Sequence, residues 1–292
     1  MGIGEWFTLF NGRLLIDQEK RSSFAARTQR ITRALNLNLR STDSSTANSF
    51  YVGSYGRNTA IPSVSDVDLL YHLPYALYSK YNAYSVGGQS ALLGAVRAAL
   101  LSTYPNTAIA GDGQVVVVAF TDNVKYEVLP AFINENGSYT FADSNGGGSW
   151  RVCNPKAEMT EFGRRNSDSN QNLVLLGRMA REWKNWNAVA MSGMLIDTLA
   201  YQFMETWEYR DKSYFYYDYM TRDFFKFLAN QPDAQTYWRA PGSGAWVYGS
   251  GFQYKARQAE LRALEAIVHQ NKNEDWSAKQ KYRQIYGPKF PE

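Results

Sequence analysis

The stretch SVSDVDLLYHLP, residues 63–74, sets Asp66 and Asp68 one residue apart inside an otherwise apolar run. Successive side chains of a β-strand alternate faces, so the two acids point the same way, roughly 6–7 Å apart along the strand. Val67, Leu69 and Leu70 are the apolar partners that hold such a strand in a sheet. Two carboxylates facing one cleft repel unless cations lie between them. Magnesium is the natural choice, a hard ion whose octahedral shell is completed by water and phosphate oxygens. A third carboxylate on a neighbouring strand lets two ions sit about 3.5–4 Å apart, one activating an attacking hydroxyl and both stabilising charge at phosphorus.

Glu127 in VKYEVLPAF suits that third place. It follows the apolar run Val115–Phe120 after a turn-like Thr121-Asp122-Asn123, which predicts a hairpin delivering Glu127 at a strand end closed by Pro130. Upstream, Gly53-Ser54-Tyr55-Gly56-Arg57 reads as a phosphate-binding turn. Glycine permits close backbone approach, a following helix start offers unpaired N–H groups, and the Ser54 hydroxyl adds a donor. Arg57 is a further candidate for phosphate, although an exposed, solvated arginine is the ordinary reading. Each feature also has a plain explanation: D-x-D pairs occur on solvated strand edges, and Gly-Ser often marks a simple turn. Their conjunction, in this order, favours chemistry.

GSYGRNT (53–59), SDVDLL (65–70) and YEVLPAF (126–132) together resemble the bacterial cGAS/DncV-like nucleotidyltransferases, the SMODS-type CD-NTases of the polymerase beta-like superfamily. The likeness continues more loosely through Asn154–Glu158, Arg178–Lys184 and Ser192–Leu199. It implies an α+β, bilobed fold: a polymerase beta-like nucleotidyltransferase core, a mixed sheet with helices, plus a helical C-terminal lobe as in oligoadenylate synthase. It implies metal ligation by Asp66, Asp68 and Glu127, and triphosphate contacts from Gly53, Ser54, Arg181 and Ser192, with Lys184 one turn from Arg181. Many superfamily members carry Asp where Glu127 stands. The implied activity is synthesis of a cyclic di- or trinucleotide from NTPs with release of pyrophosphate. Two magnesium ions serve it, with manganese able to substitute, and the setting is antiphage (CBASS) signalling through a product-activated effector. The zinc-binding insertion of animal cyclic GMP–AMP synthase is absent, since the chain has one cysteine, Cys153, and two histidines, His72 and His269. An RNA, tRNA or protein acceptor is the alternative with the same chemistry, and a nucleotide sensor without turnover the alternative without it.

Composition bounds the partners. Lys+Arg 31 against Asp+Glu 27 gives +4, too mild to argue for nucleic acid, although an accessory protein regulator is compatible with it. No apolar run approaches the roughly 20 residues that cross a bilayer. MGIGEWFTLF lacks a signal-like basic start, and Trp6 stands where myristoylation wants Ser or Thr. One cysteine suits a reducing compartment, so the expectation is a bacterial cytoplasmic protein.

Along the chain, Phe24, Ile31, Leu35 and Leu37 predict an amphipathic helix over 17–40, which in the resembling family braces both lobes. Leu92, Val96 and Leu100 predict a second over 88–103. The Gly-, Ser- and Asn-rich residues 138–149 read as a surface loop, and the lobes as 1–155 and 156–292. Beyond Ser169, Leu173, Leu176, Ala180 and Trp183 form a core face, while Arg178, Arg181 and Lys184 recur every three residues on another. Asn166 and Asn170 precede that helix as nucleobase readers or as caps. The tract 214–219 reads as core or interface, 237–242 as a loop, and about 252–271 as a last packing helix.

Overall fold

The computed structural model describes residues 2–292, which form two compact units. One comprises Ile16–Gly56 and Ser63–Lys156, and the other the residues up to Leu15, Arg57–Pro62 and Ala157–Glu292. A single cut after residue 155 does not reproduce this division. The first helix, α1 (Ile3–Arg13), and the six residues after Gly56 belong with the C-terminal residues.

The first unit opens with α2 (Gln18–Arg40), started by the Asp17 carboxylate accepting from the Lys20 N–H at 2.7 Å and ended by Ser41 in the left-handed region. There follow β1 (Ser49–Tyr51), the single helical turn α3 (Gly53–Gly56), β2 (Asp66–His72), α4 (Tyr75–Asn82) and α5 (Gly88–Leu101). Five strands complete it: β3 (Ala108–Asp112), β4 (Val115–Ala119), β5 (Lys125–Ile133), β6 (Tyr139–Asp143) and β7 (Ser149–Cys153). The sheet runs β1-β2-β5-β4-β3, with β6 pairing β5 further along and carrying β7. Among the described residues, only β2 and β5 pair in parallel.

One face of this sheet is covered by α2 and α5. Val67, Leu69, Tyr71, Val116, Val118, Tyr126 and Val128 are buried there with Phe24, Ile31, Leu35, Leu92, Val96 and Leu100. Each fully buried aliphatic of this set stabilises the fold by about 1.5–3 kcal/mol. Leu37, two residues past Leu35, falls off the apolar stripe and is 45% exposed. The opposite face carries a smaller cluster of Leu70, Ala131, Tyr139 and Phe141 at one end.

Two expectations are corrected here. Residues 138–149 are not one loop, because Tyr139 and Phe141 alternate inward and build β6; the glycines mark only its exit into β7. Pro130 does not end the strand either. It lies where β4's pairing has stopped at Val128 and β6's begins at Ala131, so its missing N–H costs that side of the ladder nothing.

The second unit is helical: α1, α6 (Pro155–Asp168, its first two residues within the first unit), α7 (Asn172–Trp186), α8 (Gly193–Thr206) and α9 (Tyr217–Ala229). The small hairpin β8 (Tyr237–Arg239) and β9 (Trp246–Tyr248) follows, replacing the loop expected at 237–242, then α10 (Gln253–Asn271) and α11 (Asp275–Tyr286). Leu173, Leu176, Ala180 and Trp183 enter its core as their spacing predicts, and α10 packs through Ala256, Ala259, Ala263 and Ala266. Tyr217 is core and its hydroxyl donates to Asn172 Oδ1. Trp6, Phe7, Phe10 and Leu14 make α1 part of this core. Phe7 meets Tyr282 and Phe290 at ring distances of 5.3 and 5.2 Å, and Arg13 donates to the Lys289 carbonyl. No helix among the described residues is long and apolar enough to cross a membrane.

Candidate active site

β2 alternates as its sequence demands. Val67, Leu69 and Tyr71 are fully buried on the α2/α5 face, whereas Asp66 is exposed and Asp68 half-buried on the other. The parallel register sets Asp68 directly beside Glu127 and Asp66 beside Lys125, at an interstrand spacing of about 4.8 Å. The three acids predicted to act together thus share one face and one end of the sheet. Burial is the main cause that pushes the Glu127 carboxyl up, followed by the charges of Asp66 and then Asp112, with Lys125 opposing.

Gly53 is at φ +60°, and a Cβ built on it would lie 1.8 Å from Asp68 Oδ2. Only glycine lets the turn and the carboxylate occupy this space. The turn is tied to β2 by the Val52 N–H donating to the Asp68 carbonyl at 3.0 Å, and closed by the Gly56 N–H donating to the Val52 carbonyl at 2.9 Å. Tyr55 packs against the rings of Tyr51 and Phe24 at 4.6 and 5.6 Å, fixing the turn on α2. Ser54 lies in the same turn.

The other predicted contacts lie in the helical unit, and most are engaged there. Arg181 is buried and bidentate on Asp197, Nη1 to Oδ1 at 2.6 Å and Nη2 to Oδ2 at 2.8 Å, and also donates to the Gly177 and Gly193 carbonyls. Ser192 caps α8, its Oγ accepting from the Leu195 N–H at 3.1 Å. Asn166 Oδ1 accepts from the Val174 N–H at 2.9 Å at the start of α7. Asn170 holds the left-handed turn before that helix. Arg178 donates to the Asn58 carbonyl and to its Oδ1, so α7's basic residues are not a solvated stripe. Lys184, near the end of α7, is partly exposed.

Arg57 is likewise not solvated. It is 7% exposed, its Nε donates to Asp197 Oδ2 at 2.8 Å, and Glu158 lies 3.8 Å from its Nη1. Burial pushes the Asp197 carboxyl up, and the charges of Arg181 and Arg57 more than reverse this, holding it below the usual carboxylate range. Sequence reading missed this pairing because its members lie far apart in the chain. The only signal was an aspartate amid the apolar residues of Gly193–Thr206. Asp197→Asn leaves two buried guanidiniums around a neutral amide and is expected to cost about 3–5 kcal/mol of stability. A denaturant midpoint equal to that of the wild type would disprove this.

Whether magnesium fits can be judged from the donors. Among the described residues no group of three His, Cys, Asp or Glu side chains could hold a metal by itself. Magnesium, however, is usually held by one or two carboxylates plus substrate phosphates, and the oxygen-only set of Asp66, Asp68 and Glu127 beside the Gly53 turn suits that mode. The burial of Glu127, and the charges of Asp66 and Asp112 around it, give a test. Its raised pKa means that the native state holds a proton longer than the unfolded chain, so stability falls as pH climbs from the ordinary Glu range through the raised value. Metal-free Glu127→Gln should therefore unfold at a higher temperature than the wild type at about pH 7–8, the gap closing below about pH 4. No gap at neutral pH would contradict the raised Glu127 carboxyl.

With this geometry in place, sequence comparison names the family. Residues 1–166, more than half the chain, match the Second Messenger Oligonucleotide or Dinucleotide Synthetase domain, SMODS, and the protein belongs to that family. In fold it is similar to Vibrio cholerae DncV, a cyclic AMP–GMP synthase solved with the linear intermediate 5′ pppA(3′,5′)pG (TM-score 0.72, 12% identity, 99% of this chain and 97% of that one). It is also similar to the CD-NTase CdnG of Bradyrhizobium diazoefficiens, solved with GTP (0.70, 11%, 97% and 94%). A third is CdnC of E. coli MS115-1, solved in a complex with HORMA-deltaN (0.64, 13%, 98% and 96%). At such identities the likeness is one of fold, an α+β sheet with a helical C-terminal region. No curated protein matches by sequence.

Proposed function

We propose that this protein is a magnesium-dependent nucleotidyltransferase that joins NTPs into a cyclic di- or trinucleotide with release of pyrophosphate. The observation that carries the reading is Asp68, set beside Glu127 by the parallel register and against Gly53 of the turn, with Asp66 on the same strand face. Membership of a family of second-messenger synthetases supports it.

Asp66, Asp68 and Glu127 are the residues that would hold magnesium, with manganese able to substitute. When bound, the metal supplies activation of the attacking hydroxyl and neutralises charge developing at phosphorus. Gly53 gives a triphosphate access to the backbone, and the Ser54 hydroxyl donates to a phosphate oxygen. Phosphates there come close to the Asp68 carboxylate, a juxtaposition of like charges that calls for an intervening cation. A ribose hydroxyl of a second nucleotide attacks the α-phosphorus in line and pyrophosphate leaves. The linear product then turns round and is closed by a second transfer. Lys184 is retained as a phosphate contact. Arg181, Ser192 and Asn166 are kept as nucleotide contacts as well, with Asp197, Leu195 and Val174 as their hydrogen-bond partners within the helical unit.

The cyclic product would activate a separate effector in antiphage signalling within the bacterial cytoplasm. The CdnC complex with HORMA-deltaN supports a place for an accessory regulator. Purified protein incubated with four NTPs and magnesium or manganese should yield a phosphatase-resistant cyclic species by mass spectrometry. Transfer only onto added RNA, tRNA or protein would replace this reading with the acceptor alternative. NTP binding without pyrophosphate under either metal would make the protein a sensor.

A further inference from the structure

Helix α10 has its small residues inside and its large ones outside. The inner face is alanine, with Ala256, Ala259, Ala263 and Ala266 buried in the core of the helical unit. The outer face carries Tyr254, Leu261, Leu264 and Val268, which are between 41 and 71% exposed. Large apolar residues standing singly on a surface are ordinary, but these four are not scattered. Tyr254, Leu261 and Val268 follow one another at intervals of seven residues, within about 20° of a line along the helix. Leu264 lies one turn from both Leu261 and Val268. A continuous apolar seam bordered by charged residues is a surface that another molecule covers.

The charges beside the seam indicate what that molecule is. Arg257 stands one turn before Leu261 and Glu265 one turn after it, while Tyr254 and Val268 stand two turns before and two turns after. A twofold axis through Leu261, perpendicular to the helix, sets a second α10 antiparallel to the first. Leu261 then meets Leu261, Tyr254 meets Val268, and Arg257 meets Glu265 in both directions, the reciprocal pairing of an isologous interface. A parallel arrangement would instead set Arg257 on Arg257 and Glu265 on Glu265. Within one chain Arg257 pairs with Glu260, and Glu265 with Arg262 and Lys281. The Arg257 and Glu265 side chains are nevertheless 44 and 43% exposed, which leaves each open to a further partner. A helix from an unrelated protein needs only the apolar residues, and nothing in such a partner calls for opposite charges equally spaced about one leucine. A second copy of this chain does.

We infer that the outer face of α10 is a homodimer interface, in which two copies of this chain pack the helix antiparallel about Leu261. The helix has 19 residues and is about 28 Å long. One seam of that length falls near the low end of specific interfaces, about 1,200 Å² in total. The dimer is accordingly weak and reversible, with a Kd on the order of 10 µM. It depends on α10 alone and stands independently of the proposed chemistry.

Sedimentation equilibrium of the full chain, from about 1 to 200 µM, reads the association directly. The wild type should pass from monomer to dimer across that range. Leu261→Glu sets two carboxylates face to face on the axis and should weaken the dimer by about tenfold or more. Its thermal midpoint at the dilute end should stay that of the wild type, since Leu261 lies outside the core. Arg257→Glu and Glu265→Arg should each be monomeric alone, because each sets like charges together twice. Mixed in equal amounts, the two variants should recover a heterodimer, in which both contacts between positions 257 and 265 are again of opposite sign. That recovery should fade as salt is raised. A wild type that stays monomeric throughout would overturn the inference, as would a dimer indifferent to Leu261→Glu. Failure of the mixture to associate would overturn the antiparallel arrangement, and the inference with it. None of these readouts involves NTP turnover, so the proposed function can fail without touching them.

Discussion

Pyrophosphate release is expected to fall by about 10²–10³-fold or more when Asp66 and Asp68 are both replaced by Asn, while the protein still unfolds cooperatively. The two side chains lie on the open face of β2, and the strand is held in the sheet by Val67, Leu69 and Tyr71 from the other side. Asn keeps the volume and removes the charge, so the sheet loses no packing. Removing Asp66 also relieves one of the charges that push the Glu127 carboxyl up, so metal-free stability at neutral pH should hold or rise slightly. Retained turnover in the double variant would sink the catalytic assignment. Loss of turnover together with loss of fold would mean that the carboxylates serve the structure.

Gly53→Ala is expected to be nearly as damaging for a different reason. The added methyl would lie 1.8 Å from Asp68 Oδ2, and the backbone is in the left-handed region. The conformational cost alone is about 1–2 kcal/mol. The steric one cannot be met without moving Asp68 or the turn, and a displacement of about 1 Å at a reacting centre costs on the order of 10²-fold in rate. Gly137→Ala separates the two effects, for Gly137 also has a positive φ, +79°, but open space around its Cα. It should lose comparable stability and keep turnover. If Gly53→Ala turned over like Gly137→Ala, the contact with Asp68 would have no catalytic meaning.

What was legible in the sequence is what depends on near neighbours. Strand alternation around Asp66 and Asp68, the Asp17 cap of α2 and the inward faces of α5 and α7 are each settled within a few residues. That Asp66 and Asp68 share a strand face could be read from their spacing. The parallel register that puts Asp68 beside Glu127 could not, since nothing local fixes which strand lies next to which. Arg57 misled for the same reason, because an arginine looks solvated until a partner such as Asp197 is brought to it from a distant helix. Arg181 and Ser192 were read through resemblance as phosphate contacts. Their hydrogen bonds within the helical unit depend on how α7 and α8 pack, which spacing alone does not reveal. Pro130 failed as a stop signal because a strand can change partners at the residue that lacks a donor.

Helix α1 has its apolar partners at the far end of the chain, where Tyr282, Tyr286 and Phe290 close over Phe7 and Phe10. During synthesis α1 must therefore wait for α11, an interval on the order of tens of seconds at ordinary elongation rates. Until then Phe7 has Tyr217 but lacks the rings of Tyr282 and Phe290. A chain halted before α11 would hold strands β1–β7 already complete while Phe7 and Phe10 still lacked three of their aromatic partners.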